Sequence, residues 1–297
     1  MHDKQQSFAI EGWLAEVRLQ FVSATPDLLP MFDTYAAEAA FGRRYISSDL
    51  DRLHFGAKVL EVGAGSLLLS CQLVREGFLV TAIEPIGDGF SHFDRMRRVV
   101  LEKAHSLGCC PTILDLPAER FAAVNSFDYA FSVNVMEHVG DVERVLANVG
   151  KSLIIGSTYR FTCPNYLFPY EPHFNIPTLF SKRLTEQLLG RKIFGSQNVP
   201  DPSGTWMSLN WITVLQVVSY VRQLPWLSLK LNRAMLVSTL ERIASDPDFA
   251  GRRSPMMRRL LAVLVRLRMH HLLGLVPALF QPIMDCHVQK IADVEAC

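Results

Sequence analysis

Apolar residues open the chain at helical intervals: Phe8, Ile10, Trp13, Leu14, Val17 and Phe21 fall on one face of a 3.6-residue repeat until Thr25-Pro26 interrupts it. This spacing predicts two or three amphipathic helices over residues 7–50. From Lys58 the rhythm shortens. Val59-Leu60-Glu61-Val62 and Leu79-Val80-Thr81-Ala82-Ile83 are apolar runs of strand length, and Leu67 to Glu76 between them has helical spacing, which together make a βαβ unit. A helix over about 92–107 leads to a strand at Thr112-Ile113-Leu114. Tyr129-Ala130-Phe131-Ser132-Val133 is a further buried strand, a helix runs from Asp141 to about Val149, and Ser152 to Ile155 and Tyr159 to Thr162 are two later strands. Alternation of this kind predicts an α/β fold, a Rossmann-like doubly wound parallel sheet with helices on both faces.

Beyond Pro164 the periodicity stops. Residues 164–178 hold four prolines together with Tyr166, Phe168, Tyr170 and Phe174, the composition of a long ordered loop. Helical spacing returns from about Trp211 to Ile243, and 254–284 is apolar and basic. The resulting organisation is a preface of N-terminal helices (1–50), an α/β cofactor domain (51–180) and a mainly helical C-terminal cap or substrate region (181–297), with no internal repeat and no low-complexity tract.

Composition narrows the class. With 49% hydrophobic and 20% charged residues the chain has the makeup of a folded globular protein. A formal charge of +1 provides no clustered cation excess to displace counterions from phosphates, so no nucleic-acid partner is expected. The six cysteines, Cys71, Cys109, Cys110, Cys163, Cys286 and Cys297, show no CxxC spacing and read as reduced thiols, with no metal site expected. Met1 to Gln6 lacks the basic start and apolar stretch of a secretion signal, which predicts a cytoplasmic protein. Between Asp248 and Asp285 there is no acidic residue, while Arg252, Arg253, Arg258, Arg259, Arg266 and Arg268 lie among Leu, Val and Met. The uncharged stretch Met269 to Met284 is too short for a bilayer core of ~30 Å and is broken by Gly274, Pro277 and Pro282. Residues 252–284 therefore read either as a helical cap with its arginines in water or as a peripheral contact with anionic lipid. Trp206, Trp211 and Trp226 read as core or cleft wall, not as a stacking platform for bases.

The segment Val59 to Ser66 places Gly63 and Gly65 where a strand must turn into a helix. Without Cβ atoms the backbone can turn tightly against a ligand, and the helix N-terminus offers N–H groups and partial positive charge to an anionic or carboxylate-bearing group. Glu84, at the end of the second strand and about 20 positions on, stands where a carboxylate grips a ribose diol. A dinucleotide site needs a small residue three positions after Gly65, and Leu68 is there instead, which weighs against an NAD-dependent oxidoreductase.

These residues resemble the class I S-adenosylmethionine-dependent methyltransferases, in particular their small-molecule branch. The first motif of that family, acidic-x-Gly-x-Gly, is matched by Glu61, Gly63 and Gly65 around Ala64; Leu67 stands where the family usually has a third glycine. The second motif is matched at Ile83-Glu84-Pro85, and the later strand signature at Ser126 to Ala130 followed by Asn134-Val135-Met136-Glu137-His138-Val139. The resemblance covers roughly residues 55–165. It implies that S-adenosyl-L-methionine is held by Glu61, Gly63, Ala64, Gly65, Glu84 and Pro85, that Asp115 or Glu119 stands near the adenine amino group, and that Asn134, Glu137 and His138 line the cofactor.

Methyl transfer is an in-line displacement from an activated sulfonium, so alignment and exclusion of water dominate, and a base is needed only where the acceptor must lose a proton. The loop Pro164 to Phe174 follows a strand expected at the carboxyl edge of the sheet. It carries Glu171 and His173 as candidate catalytic groups and Tyr166, Tyr170 and Phe174 as candidate substrate contacts, and the alternative for all five is a packed cover over the core. The expected function is methyl transfer to a small-molecule or lipid-like acceptor. The alternative is a cofactor-fold protein without catalysis that serves as a partner- or membrane-binding subunit.

Overall fold

A computed structural model of the chain describes residues 9–85, 91–197, 199, 201–245 and 255–294; the chain start Met1 to Gln6, and Phe8, Arg252, Arg253 and Cys297, named above, lie outside them. The first helix, α1 (Ile10–Ala24), buries Ile10, Trp13, Val17 and Phe21 along the predicted face and ends at Thr25, whose N–H bonds Phe21 O at 3.0 Å. Pro26 then starts a short 3-10 turn, and α2 (Leu29–Leu50) follows, with the Phe21 and Phe32 rings 4.6 Å apart. Trp13 Nε1 donates to Leu68 O at 2.9 Å, tying α1 to the α/β layer.

That layer runs β1 (Lys58–Val62), α3 (Leu68–Arg75), β2 (Leu79–Ile83), α4 (Ser91–Ser106), β3 (Thr112–Leu114), β4 (Phe127–Val133), α5 (Val142–Ser152) and β5 (Leu153–Pro164). The later part adds α6 (Lys182–Phe194), α7 (Pro202–Ser208), α8 (Val214–Arg222), β6 (Leu227–Asn232), α9 (Ala234–Ser245), α10 (Pro255–Arg266) and β7 (Ile283–Lys290). The seven strands form one sheet in the order β3-β2-β1-β4-β5-β7-β6, with β1 parallel to both β2 and β4 and β2 parallel to β3. The order reverses between β1 and β4. Such a switch point opens a crevice at the carboxyl ends of the strands, where α/β sheets bind ligands.

Three elements depart from the sequence reading. The two strands expected around 152–162 are one twelve-residue strand, β5, which contains Gly156 at φ +90° without breaking. The helical stretch expected over 211–243 is divided by β6, and the chain after Pro282 is the strand β7, not part of a helical cap. Leu227 to Asn232 alternates buried and more exposed positions, the period of a strand with one covered face.

The chain forms two compact units. Unit 1 comprises Met1–Val133, Arg144–Arg160 and Gln289–Cys297; unit 2 comprises Asn134–Glu143 and Phe161–Val288. In unit 1 a buried ionic node holds α2 to the strands: Arg160 Nη1 reaches Tyr45 O and Asp49 Oδ2, both at 2.7 Å, and Tyr129 Oη donates to Asp49 at 3.2 Å. Lys290, fully buried, donates to Asn125 Oδ1 at 2.5 Å and Leu153 O at 3.1 Å, which fastens the end of the chain. In unit 2 the buried Asn165 amide donates to Leu279 O and Gln281 O at 3.0 and 2.9 Å, and its oxygen accepts from Leu167 and Val214 N–H. Beside it Tyr166 stacks on Trp211 at 5.0 Å, while Trp206 meets both Phe174 and Trp211 edge-on, as expected for tryptophans of a core.

Candidate functional site

The carboxyl end of β1 delivers the glycine turn of unit 1. Gly63 and Gly65 have φ of +74° and +50°, and Leu67 has +66°, so the position where a third glycine was expected adopts the backbone conformation that glycine favours. The Gly63 and Ala64 N–H groups bond Ile83 O at 2.8 and 3.2 Å, which locks the turn to the end of β2. Gly65 N–H donates to Glu84 Oε2 at 2.9 Å. Gly63, Gly65 and Glu84 thus converge as the spacing predicted, although the Gly63 amide is spent within the turn. Pro85 is exposed immediately after Glu84.

Arg97, on α4, completes this corner: its Nε donates to Gly65 O at 3.0 Å and its Nη2 lies 3.5 Å from Glu84 Oε1. Burial raises the Glu84 pKa, against the Gly65 hydrogen bond and the Arg97 charge, which favour the ionised form. Nothing in the sequence pattern singles out Arg97, because its role depends on how α4 lies against the turn. Glu61 is more enclosed. It accepts a hydrogen bond from Ser70 of α3, and burial pushes its pKa up to about 8, opposed by Ser70 and reinforced by the charge of Glu84. Its side chain therefore ties β1 to α3. Asp115 is exposed just after β3, and Glu119 lies in the short 3-10 turn Ala118–Arg120, where its carbonyl accepts from Asn148 Nδ2 at 2.8 Å.

Unit 2 gathers a second group of side chains. Asn134, at φ +54°, turns the chain after β4, and its N–H bonds Thr162 O at 2.9 Å. Asn210 braces the next residues from one side: its N–H bonds Glu137 O, and its Nδ2 bonds both Met136 O and Val139 O, all at 2.8 Å. Glu137 is 0% exposed, and neither carboxylate oxygen has a hydrogen-bond partner. Burial pushes its pKa up to about 7, and nearby His173 partly offsets this. His138 Nδ1 lies 2.8 Å from Ser208 Oγ, and burial lowers its pKa to about 4, with His173 adding to the shift and Glu171 opposing it.

Within the proline-rich loop, Glu171 is buried and organises its neighbours. It accepts from Tyr166 Oη at 3.3 Å, from the backbone N–H groups of His173 and Phe174 at 3.1 and 2.7 Å, and stands 2.6 Å from His173 Nδ1. The His138 and His173 rings meet edge-on at 5.4 Å. Glu137, His138 and His173 each present one potential ligand atom, all within 4.8 Å of one another. Tyr166 and Phe174 are buried in the aromatic cluster, and burial together with Glu171 raises the Tyr166 pKa, holding its hydroxyl protonated. Tyr170 is half-buried and donates to Asn175 Oδ1 at 2.6 Å. Sequence reasoning named Glu137, His138, Tyr166, Tyr170, Glu171, His173 and Phe174, but not Asn175, Asn210 or Ser208; Ser208 lies 70 positions from its partner, and none of the three carries a motif.

On α10 and the residues after it, Arg258, Arg259, Arg266 and Arg268 are exposed beside the exposed apolar Leu260, Val263, Leu267, Leu272 and Leu275. Among the described residues no helix is long and apolar enough to cross a membrane.

No protein-family model matches the chain. The uncharacterized proteins Rv1509 and MT1557 of Mycobacterium tuberculosis are each 49% identical to it over 281 residues, 95% of this chain and 95% of theirs. Among solved structures, phosphoethanolamine N-methyltransferase 2 of Haemonchus contortus in complex with S-adenosyl-L-methionine superposes with a TM-score of 0.50 at 15% identity. The match covers 84% of this chain and 52% of that one, so this chain spans about half the length of the nematode protein. The chain thus belongs to one family with the two mycobacterial proteins, and its fold is that of the class I S-adenosylmethionine-dependent methyltransferases.

Proposed function

We propose that the protein transfers a methyl group from S-adenosyl-L-methionine to a small-molecule or lipid-like acceptor. The observation that carries this reading is the corner at the switch point of the sheet, where Gly65 N–H and Arg97 converge on Glu84. The donor set suits the adenosyl group: a half-buried carboxylate accepts from the ribose hydroxyls, and the glycine turn before α3 leaves room for backbone approach. Leu68 is buried at the start of α3, where a dinucleotide site needs a small residue, and this favours the methyl donor over NAD. Bound there, S-adenosylmethionine supplies the activated methyl group.

The protein's own residues then position and deprotonate. Glu84 fixes the ribose, Arg97 favours the ionised form of that carboxylate against the effect of burial, and Asp115 or Glu119 takes the adenine amino group. Glu171 accepts a hydrogen bond from Nδ1–H of His173, which puts the ring's lone pair on Nε2, where it can receive a proton from a hydroxyl or ammonium acceptor. The exposed apolar and arginine side chains of α10 support the lipid-like end of the acceptor range.

Calorimetric titration of the full chain with S-adenosylmethionine tests the cofactor assignment. Saturable binding is expected, weakened at least tenfold in Glu84→Ala and in Gly63→Val, whose side chain is strained at φ +74°. Undetectable binding with an unchanged melting temperature overturns the reading. Formation of S-adenosylhomocysteine with cell extracts tests the transfer itself; cofactor binding without any product would point instead to a non-catalytic member of the fold.

A further inference from the structure

Glu137 poses an energetic problem that the methyltransferase reading does not answer. A carboxylate fully removed from water, with both oxygens lacking a hydrogen bond, costs several kcal/mol unless a cation or a proton meets it. It has little freedom to swing out, because Asn210 holds the backbone of residues 136, 137 and 139 through three hydrogen bonds.

The two histidines facing it are oriented from behind. Ser208 Oγ donates its proton to Thr205 O at 2.9 Å, so it accepts from Nδ1 of His138. Glu171, held by three other donors, accepts from Nδ1 of His173. Both rings are therefore Nδ1–H tautomers with the lone pair on Nε2. A hydroxyl or carboxylate behind each imidazole is the outer-shell arrangement that orients metal-binding histidines.

We infer that Glu137, His138 and His173 form a binding site for a divalent first-row transition metal, of the zinc, cobalt(II) or iron(II) type. Two imidazoles and one carboxylate suit these ions better than magnesium or calcium, which take oxygen donors, and three protein ligands leave coordination positions open. The ligand atoms lie within 4.8 Å of one another, a spread that small side-chain rotations close around one ion. The ion neutralises the buried carboxylate and takes the Nε2 lone pair of His173. All three ligands come from unit 2, and the site does not depend on the cofactor reading. A metal held there would supply Lewis-acid chemistry to an oxygen or nitrogen ligand at its open positions, in place of a proton transfer to His173.

A second cluster, Glu241, His270 and His271, serves as an internal control, because Glu241 and His271 are exposed. Chelator-treated full-length protein is titrated with Co2+, following calorimetric stoichiometry and the visible d–d absorption. One equivalent is expected in the wild type and in His271→Ala, with affinity reduced at least tenfold in Glu137→Gln and His173→Ala. Glu137→Gln keeps the side-chain volume and removes the unpaired charge, so its fold is retained, and circular dichroism confirms this for both variants. No Co2+ binding by the wild type, or wild-type affinity in both ligand variants, overturns the site. Calorimetry with S-adenosylmethionine on the same samples reports separately on the cofactor reading.

Discussion

Glu61 is a buried acid whose protonation is linked to folding. Its pKa in the folded chain is about 8, against 4.5 for the free side chain, chiefly because burial disfavours the charge. Below pH 4.5 both folded and unfolded chains carry the proton, and the group does not oppose folding. Between 4.5 and 8 the unfolded chain gives up the proton while the folded chain retains it, so this contribution is lost as pH rises and is gone above about 8. Glu61→Gln removes the linkage. Comparing urea midpoints at pH 5 and pH 8, the wild type should lose more stability than the variant, by on the order of 3 kcal/mol; equal losses would show that Glu61 ionises normally. The importance of this residue was legible in the sequence, as were Gly63, Gly65 and Glu84, because each sits at a fixed offset from a strand end. Arg97 and Ser70 were not, since an arginine or serine on a helix surface gives no hint of what the fold brings opposite it. Glu137 was legible as a position but not as a buried, unpartnered charge, because the surroundings that isolate it come from residues 161–288.

At the level of elements, legibility followed burial. β1, β2 and β4 are covered on both faces, and their largely apolar runs end at residues unsuited to strands, so they could be read directly. β6, Leu-Ser-Leu-Lys-Leu-Asn, has one covered face, and its alternation is short enough to vanish inside a window dominated by the helices on either side. β7 was obscured for another reason: it buries Asp285 and Lys290, whose polarity argues against a core strand until their partners are known. Asn232 Nδ2 donates to Asp285 at 2.9 Å, and Lys290 meets main-chain carbonyls. The start of α8 is better marked. Thr213 and Gln216 form a reciprocal capping box at α8, so Thr213→Ala should lower stability by about 1 kcal/mol in denaturant titrations. A change within a few tenths would mean that tertiary contacts alone hold that end of the helix.

On the scale of the whole molecule, the glycine corner lies in one unit and the Glu–His–His cluster in the other. The chain passes between units at Val133–Asn134, Glu143–Arg144, Arg160–Phe161 and Val288–Gln289, and the last two passages fall inside β5 and β7, where no change of composition marks them. Because no side chain is shared between the corner and the cluster, ligand stabilisation should separate by variant. Any ligand that binds only the folded chain raises its stability by an amount set by concentration and affinity, about 2.7 kcal/mol at a hundredfold excess over Kd. S-adenosylmethionine should therefore raise the melting temperature of the wild type and of His173→Ala by more than that of Glu84→Ala, while Co2+ should raise that of the wild type and Glu84→Ala by more than that of His173→Ala. Differential scanning calorimetry of the three proteins with each ligand measures all of these. If Glu84→Ala abolishes the Co2+ response as well, metal binding is energetically coupled to the glycine corner, and the independence of the two sites is overturned.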